Sequence, residues 1–268
     1  MKQILTIAGS DSGGGAGIQA DLKSIHANGG FGMSVITSIT AQNTQTVTHA
    51  FDLPTELIEA QIDAIFADFD VAALKTGMLS SAVIVQTVAQ KLRQYSPQNI
   101  VIDPVMISKS KFPLLKPEAV ANLKAELLPL AAVITPNVYE AELLTGCEIE
   151  TVDDTKQAAE AIHRYGCQSV LVKGGHLLGE QSTDVLYIDG EFTLFESERI
   201  ETKNTHGTGC TYSAAIATQL GHGKDIATAI QSAKNYITNA IRYSLNIGHG
   251  HGPTNHFYFL NKQSTVKG

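Results

Sequence analysis

A cysteine, Cys210, directly follows Gly207-Thr208-Gly209 in the stretch ETKNTHGTGCTYSAA, residues 201–215, ahead of small residues suited to a helix. Such a loop can aim several backbone N–H groups at one point at the positive end of a helix, an arrangement that holds oxyanions. A Cβ at either glycine would obstruct the approach of a phosphate to the backbone. A thiol there is drawn below its ordinary pKa of about 8.5, which would help it accept a proton, while nearby phosphates push it the other way. The plain alternative is a tightly packed helix start with a small buried hydrophobe.

Two charged residues stand in comparably odd places. Lys173 ends the apolar run SVLV, where a lysine belongs only if it emerges at a strand end to meet an anion. Asp103 ends NIVID and is followed by Pro104, which stops a strand. A carboxylate at such an edge suits Mg2+, which keeps its waters and bridges nucleotide phosphates.

The elements that must carry these residues follow from periodicity. Short β-branched runs alternate with helical segments: QILTIAG then AGIQADLKSIHAN, DVAALKTG then SAVIVQTVAQKLRQY, NIVIDPV then PEAVANLKAELL, AAVITPN then VYEAELLTG. SVLVKGG, a hairpin VLYIDGEFTLF turning at Asp189-Gly190, and two helical stretches complete the chain. This predicts an α/β fold, a mainly parallel sheet covered by helices on both faces, with ligands beyond the carboxyl ends of the strands. No linker or internal repeat interrupts residues 1–268, so one domain is expected, its tail 261–268 frayed.

Other chemistries are disfavoured. The formal charge of -7 argues against nucleic acid as a partner. No apolar run approaches the roughly 20 residues of a membrane span, and the N-terminus lacks a signal-peptide centre, so a cytoplasmic location is expected. Cys147, Cys167 and Cys210 show no CxxC pairing, which leaves neither a disulfide framework nor a zinc site. Gly15-x-Gly17-x-x-Ala20 partly matches a dinucleotide fingerprint, but the acidic residue required downstream is missing, and no GxxxxGK[ST] occurs. His249, His251 and His256 are read as part of a solvated turn and not as metal ligands.

Six ordered motifs, GSDSGGGAGIQADLK, AQNT, DPVM, TPNVYEA, VKGGH and NTHGTGC, together resemble the hydroxymethylpyrimidine and phosphomethylpyrimidine kinases of thiamine biosynthesis, within the ribokinase-like superfamily. The resemblance runs nearly end to end. It implies a ribokinase-like three-layer sandwich that uses ATP and Mg2+ to phosphorylate a hydroxymethyl pyrimidine, and then its monophosphate to the diphosphate. A homodimer is expected by the same analogy; a monovalent cation requirement stays open.

The resemblance also implies roles. Cys210 stands where much of the superfamily has an aspartate base, with Gly207, Thr208 and Gly209 forming the anion hole. Gln42 would read the aminopyrimidine edge, for which a carboxamide offers the complementary donor and acceptor; Asp21, Gly9 and Val105 would complete that pocket. Lys173 and Thr205 would meet the ATP phosphates, and Asp103, Asn137 and Glu140 would orient hydrated Mg2+. Either Asn137 or Glu140 could instead cap or decorate its helix, Asn being a good N-cap. Lys109 and Lys111 would lie on a closing flap, and His176 is ambiguous. The alternatives are a pyridoxal or pyridoxine kinase, in which an apolar residue tends to replace Gln42, and a non-catalytic sensor, against which Cys210, Lys173 and Asp103 argue together.

Overall fold

The protein, a computed structural model, is described over residues 1–106, 114–115, 117–175, 177 and 179–260. The expected flap at Lys109 and Lys111, His176, and the expected frayed tail lie outside the described residues.

The described strands are β1 (Gln3–Asp11), β2 (Phe31–Gln42), β3 (Val47–Asp52), β4 (Val71–Thr76), β5 (Ile100–Ile102), β6 (Val133–Ile134), β7 (Ser169–Val172), β8 (Gln181–Ile188) and β9 (Glu191–Glu198). They form one sheet in the order β3-β2-β1-β4-β5-β6-β7-β8-β9. From β2 through β7 every neighbouring pair is parallel, and β3, β8 and β9 attach antiparallel. The central strands are apolar on both sides, Ile4, Leu5, Ile7 and Ala8 of β1 being fully buried, as a sheet covered on both faces requires.

One face is covered by α2 (Thr55–Asp68), α3 (Ala82–Tyr95), α4 (Pro117–Asn122), α5 (Val138–Thr145) and α6 (Val152–His163), whose Ile58, Val88, Leu144 and Ile162 meet Leu5, Leu74 and Ile102. The other face carries α1 (Gly17–Ala27), α7 (Thr208–Gly221) and α8 (Ile226–Arg242), whose Ile25, Ile216 and Ile230 meet Ile4, Ala73 and Val101. The expected three layers are present. Among the described residues no helix is long and apolar enough to cross a membrane.

The hairpin turns where expected, with Asp189 and Gly190 both at positive φ (53° and 85°), the conformation that suits a two-residue hairpin. Several elements differ from expectation, the helices α2 and α6 lying outside the segments read from the sequence. β3 was not anticipated, because Thr48 to Phe51 are all exposed and leave no alternation to read. The stretch expected to be one helix from residue 117 tightens and widens instead, α4 passing into a π-helical turn at Leu123–Leu127 and a 3-10 turn at Leu128–Leu130, where Pro129 cannot continue an α-helix.

The chain leaves β1 for β2 on one side and returns as β4 on the other, so a crevice opens between their carboxyl ends. Beneath it lies an ion pair between layers. Lys75 Nζ of β4 contacts both carboxylate oxygens of Asp21 on α1, at 2.9 and 3.0 Å, and the Thr6 hydroxyl donates to Asp21 at 2.6 Å. Both side chains are completely buried. Burial would push the Lys75 ammonium down, but Asp21, then Cys210 and Asp103, hold it above the ordinary amine range. Removing one partner strands the other's charge in the interior. Lys75→Met is therefore expected to lower the unfolding free energy by about 3–5 kcal/mol, and the double variant Asp21→Asn with Lys75→Met to recover most of that loss, as read by urea denaturation.

Candidate active site

The first glycine loop, after β1, is organised by a single carboxylate. Asp11 Oδ1 accepts the N–H of Gly13 at 2.8 Å, and its Oδ2 accepts those of Gly15 at 3.1 Å and Ala16 at 2.8 Å. Oδ2 also lies 3.0 Å from His206 Nε2. Burial pushes Asp11 up, but the hydrogen bonds from His206, Ala16 and Gly13 hold it below the usual carboxylate range. These N–H groups are consumed inside the loop.

The second loop interlocks with the first. Gly207 caps α7 at φ 75°, and a Cβ there would lie 1.8 Å from the Gly15 carbonyl oxygen. Loop-on-loop packing thus demands a glycine here independently of any phosphate. Gly209 faces the charged groups: a Cβ would sit 3.3 Å from Lys173 Nζ and 3.7 Å from Asp103 Oδ2. The Thr208 hydroxyl donates to the Thr205 carbonyl at 2.8 Å, closing the turn into the helix.

Asp103 lies just past β5 and collects partners from three other segments. Lys173 Nζ, past β7, donates to it at 2.9 Å, Thr135 Oγ1, past β6, at 3.2 Å, and Ser213 Oγ of α7 at 3.2 Å. Burial raises this carboxyl, but Lys173 and Lys75 overcome it and keep Asp103 low. Lys173 is held above its ordinary range, burial being outweighed by Asp103 and Glu140. The Val105 N–H turns back onto the Asp103 carbonyl at 2.8 Å.

Asn137 and Glu140 form a capping box at the start of α5: Asn137 Oδ1 accepts the Glu140 N–H at 2.9 Å and Glu140 Oε2 accepts that of Asn137 at 2.8 Å. The capping alternative therefore holds for these atoms, leaving one oxygen of Glu140 and the amide nitrogen of Asn137 outside the cap. Burial drives Glu140 up to about 7, with Lys173 opposing and Asp103 adding to the rise.

Cys210 departs from the helix-end expectation. Burial pushes its thiol up to about 11; Lys75 and the Gly17 N–H favour the thiolate, and Asp21 and Asp103 oppose it. In the free protein the group is a thiol at neutral pH.

Gln42 ends β2 and reaches the second loop, its amide 3.3 Å from His206 Nε2 and 3.1 Å from Thr40 Oγ1. Gly9 is required by Met78, whose Cε would lie 2.3 Å from a Cβ. Asp21 is completely buried beside the crevice and engaged by Lys75 and Thr6. His256 corrects the solvated-turn expectation, since it is buried, accepts or donates at 2.9 Å to Thr211 Oγ1, and is pushed down to about 4 by burial. Among the described residues no three His, Cys, Asp or Glu side chains are grouped to hold a metal.

Sequence reasoning missed Asp11, His206, Lys75, Thr135 and Ser213. Lys75 carried a usable signal, a lysine closing the apolar run VAAL, the same sign that exposed Lys173. The others are ordinary polar residues until the fold brings them together.

Glu140 yields a pH test. A carboxyl raised in the folded state binds its proton more tightly there than in the unfolded chain, so its contribution is most favourable below the unfolded pKa of about 4.5 and is lost as pH rises through about 7. Glu140→Gln keeps an oxygen for the Asn137 N–H and removes the titration. The variant is expected to gain stability relative to the parent by about 1–3 kcal/mol between pH 5 and pH 8, measured by denaturation at both.

Comparison with known proteins accords with this geometry. The phosphomethylpyrimidine kinase family model matches residues 11–255. The chain is 49% identical to hydroxymethylpyrimidine/phosphomethylpyrimidine kinase of Haemophilus influenzae over 263 residues, 97% of this chain and 98% of that one. It is also 49% identical to the thiamine biosynthesis bifunctional protein ThiED of Geobacter sulfurreducens, over 94% of this chain and 52% of that longer protein, so it spans about half of that relative. The Bacillus subtilis pyridoxal kinase, solved as an ADP complex, superposes with a TM-score of 0.91 at 43% identity, covering 97% of this chain and 99% of the other. With nearly its whole length matched, the chain belongs to the phosphomethylpyrimidine kinase family.

Proposed function

We propose that the protein transfers the terminal phosphoryl group of ATP to the hydroxymethyl oxygen of 4-amino-5-hydroxymethyl-2-methylpyrimidine, and then a second to the resulting monophosphate. The observation that carries this reading is the convergence on α7: Cys210 and Gly209 stand at its start beside the Lys173–Asp103 pair, and Gln42 touches His206 in the loop that leads into it. A charged amine, N–H groups freed at a helix start and a thiol meet there, and the carboxamide contributes the one pair of hydrogen-bonding groups complementary to an aminopyrimidine edge.

In this mechanism Lys173, kept charged by Asp103 and Glu140, holds the ATP phosphates, and the N–H groups at the start of α7 receive the oxygens of the phosphoryl group in transfer. Asp103 has its oxygens engaged by Lys173, Thr135 and Ser213, so Mg2+ would be held through nucleotide phosphates and waters, and Glu140, which also accepts the Met106 N–H, and the amide of Asn137 would orient those waters. When bound, the ion supplies charge neutralisation across the phosphate oxygens. Lys75 favours the Cys210 thiolate, the form that would take the proton of the attacking hydroxyl. The second transfer starts from a phosphate oxygen already anionic and needs a base less. Mg2+ dependence, a cytoplasmic location and a homodimer accompany this reading as family expectations.

A pyridoxal kinase is the second reading, supported by the close superposition on the Bacillus subtilis enzyme. Mass spectrometry of products formed with ATP, Mg2+ and either ring separates the two. Monophosphate followed by diphosphate from the pyrimidine is the expected result; rapid phosphorylation of pyridoxal without pyrimidine diphosphate would reject it. With the steps assayed separately, Cys210→Ala is expected to slow the first by about 100-fold or more and the second by less than about tenfold. Equal losses would assign Cys210 to positioning.

A further inference from the structure

The environment of Gln42 contains a hydrogen-bonding puzzle whose solution assigns a role to His206. Thr40 Oγ1 lies 2.9 Å from the Ser10 carbonyl oxygen and 3.1 Å from Gln42 Oε1. A hydroxyl has one proton, and the Ser10 carbonyl can only accept, so Thr40 offers Gln42 a lone pair. On the opposite side, His206 Nε2 lies 3.0 Å from Asp11 Oδ2 and 3.3 Å from Gln42 Nε2. The Asp11 carboxylate, held ionised by three backbone N–H groups, can only accept, so Nε2 carries a hydrogen and cannot take one from Gln42. The two ends of a carboxamide are nearly isosteric, and both neighbours require the same orientation: the oxygen towards His206 and the amino group towards Thr40.

We infer that His206, fixed by Asp11, is a positioning residue that sets the polarity of the Gln42 carboxamide and thereby selects the donor–acceptor order of the ring it reads. The inference rests on the reading of Gln42 as the pyrimidine contact. In the assigned orientation the amide oxygen keeps a second lone pair and the amide nitrogen a second hydrogen, one acceptor and one donor for the ligand. A ring presenting an exocyclic amino group beside an unprotonated ring nitrogen matches this order. A ring presenting a carbonyl beside a protonated ring nitrogen opposes it, and turning the amide to suit that ring would set the carboxamide against both His206 and Thr40. Gly15 makes the arrangement possible, because a Cβ there would lie 2.4 Å from His206 Cδ2 and displace the imidazole. His206 itself is largely enclosed, its side chain 12% exposed beside an Asp11 that is 3% exposed, so water is poorly placed to substitute for either partner.

The test uses two rings that differ only in this order: the 4-amino-5-hydroxymethyl-2-methylpyrimidine and its 4-oxo analogue, which carries C4=O and N3–H. The readout is the ratio of kcat/KM for the amino ring to that for the oxo ring. His206→Phe, which keeps a ring and removes the donor, is expected to lower this ratio at least about tenfold, and His206→Gln, whose Nε2–H can replace the imidazole N–H, to preserve it. Thr40→Val, which removes the lone pair without changing shape, is expected to lower it as well and provides a second route if His206→Phe does not fold. Equal slowing of both rings in His206→Phe and in Thr40→Val, with the ratio unchanged, would overturn the inference by showing only a structural contribution. Gln42→Leu distinguishes the premise: if it leaves the ratio unchanged, the Gln42 contact fails and the His206 role with it, whereas a collapse there combined with an unchanged ratio in His206→Phe overturns the His206 role alone.

Discussion

The site depends on the burial of one carboxylate. Asp103 is 2% exposed at the end of a three-residue strand, where an unpartnered charge would be untenable, and the fold answers with donors from β6, β7 and α7. Each donor does more than neutralise it. Thr135 ties the neighbouring strand end, Lys173 is anchored by its amine with its charge retained, and Ser213 fixes the first turn of α7, whose start presents Gly209 and Cys210. A requirement of solvation thus becomes a requirement of geometry, and the edges of three strands and one helix are registered to each other through a single side chain.

A second constraint acts from the other side of the crevice. Asp11 gathers the first glycine loop around itself, and His206 and the close approach of Gly15 to Gly207 lock that loop to the second. The Lys75–Asp21 pair lies below both, bringing charge close to Cys210 without reaching solvent. The charges therefore form a graded set, with Lys173 at the mouth and Lys75 sealed, and the thiol between them is governed more by its enclosure than by the helix end. A helix N-terminus lowers a thiol's pKa and burial raises it, and for Cys210 burial is the larger effect.

The layered architecture, the hairpin turn and the residues at the strand ends were legible because they depend on local pattern: period-2 apolar runs, Asp-Gly, and charged residues that close apolar strands. β3 was illegible because its exposed residues carry no alternation. His256 was misread because a polar residue is buried only when a distant partner satisfies it, here Thr211; the partner of Asp21, Lys75, is equally distant in sequence. Asp11 and His206 were visible inside recognised motifs, but their pairing is a fact of three dimensions. Gly207 carries a packing requirement that the sequence did not reveal, since its missing side chain would strike the Gly15 carbonyl.

The contact between Asp11 and His206 joins residues 195 positions apart. Chain growth at the ribosome makes the first glycine loop early and its locking partner late, so the carboxylate and its ring of N–H groups exist for most of synthesis without the imidazole that covers them. Closing so long a loop costs chain entropy that must be met before the contact rewards it. The crevice consequently matures only when the C-terminal third has docked, and a partly synthesised chain can build most of the sheet while remaining unable to recognise a ring.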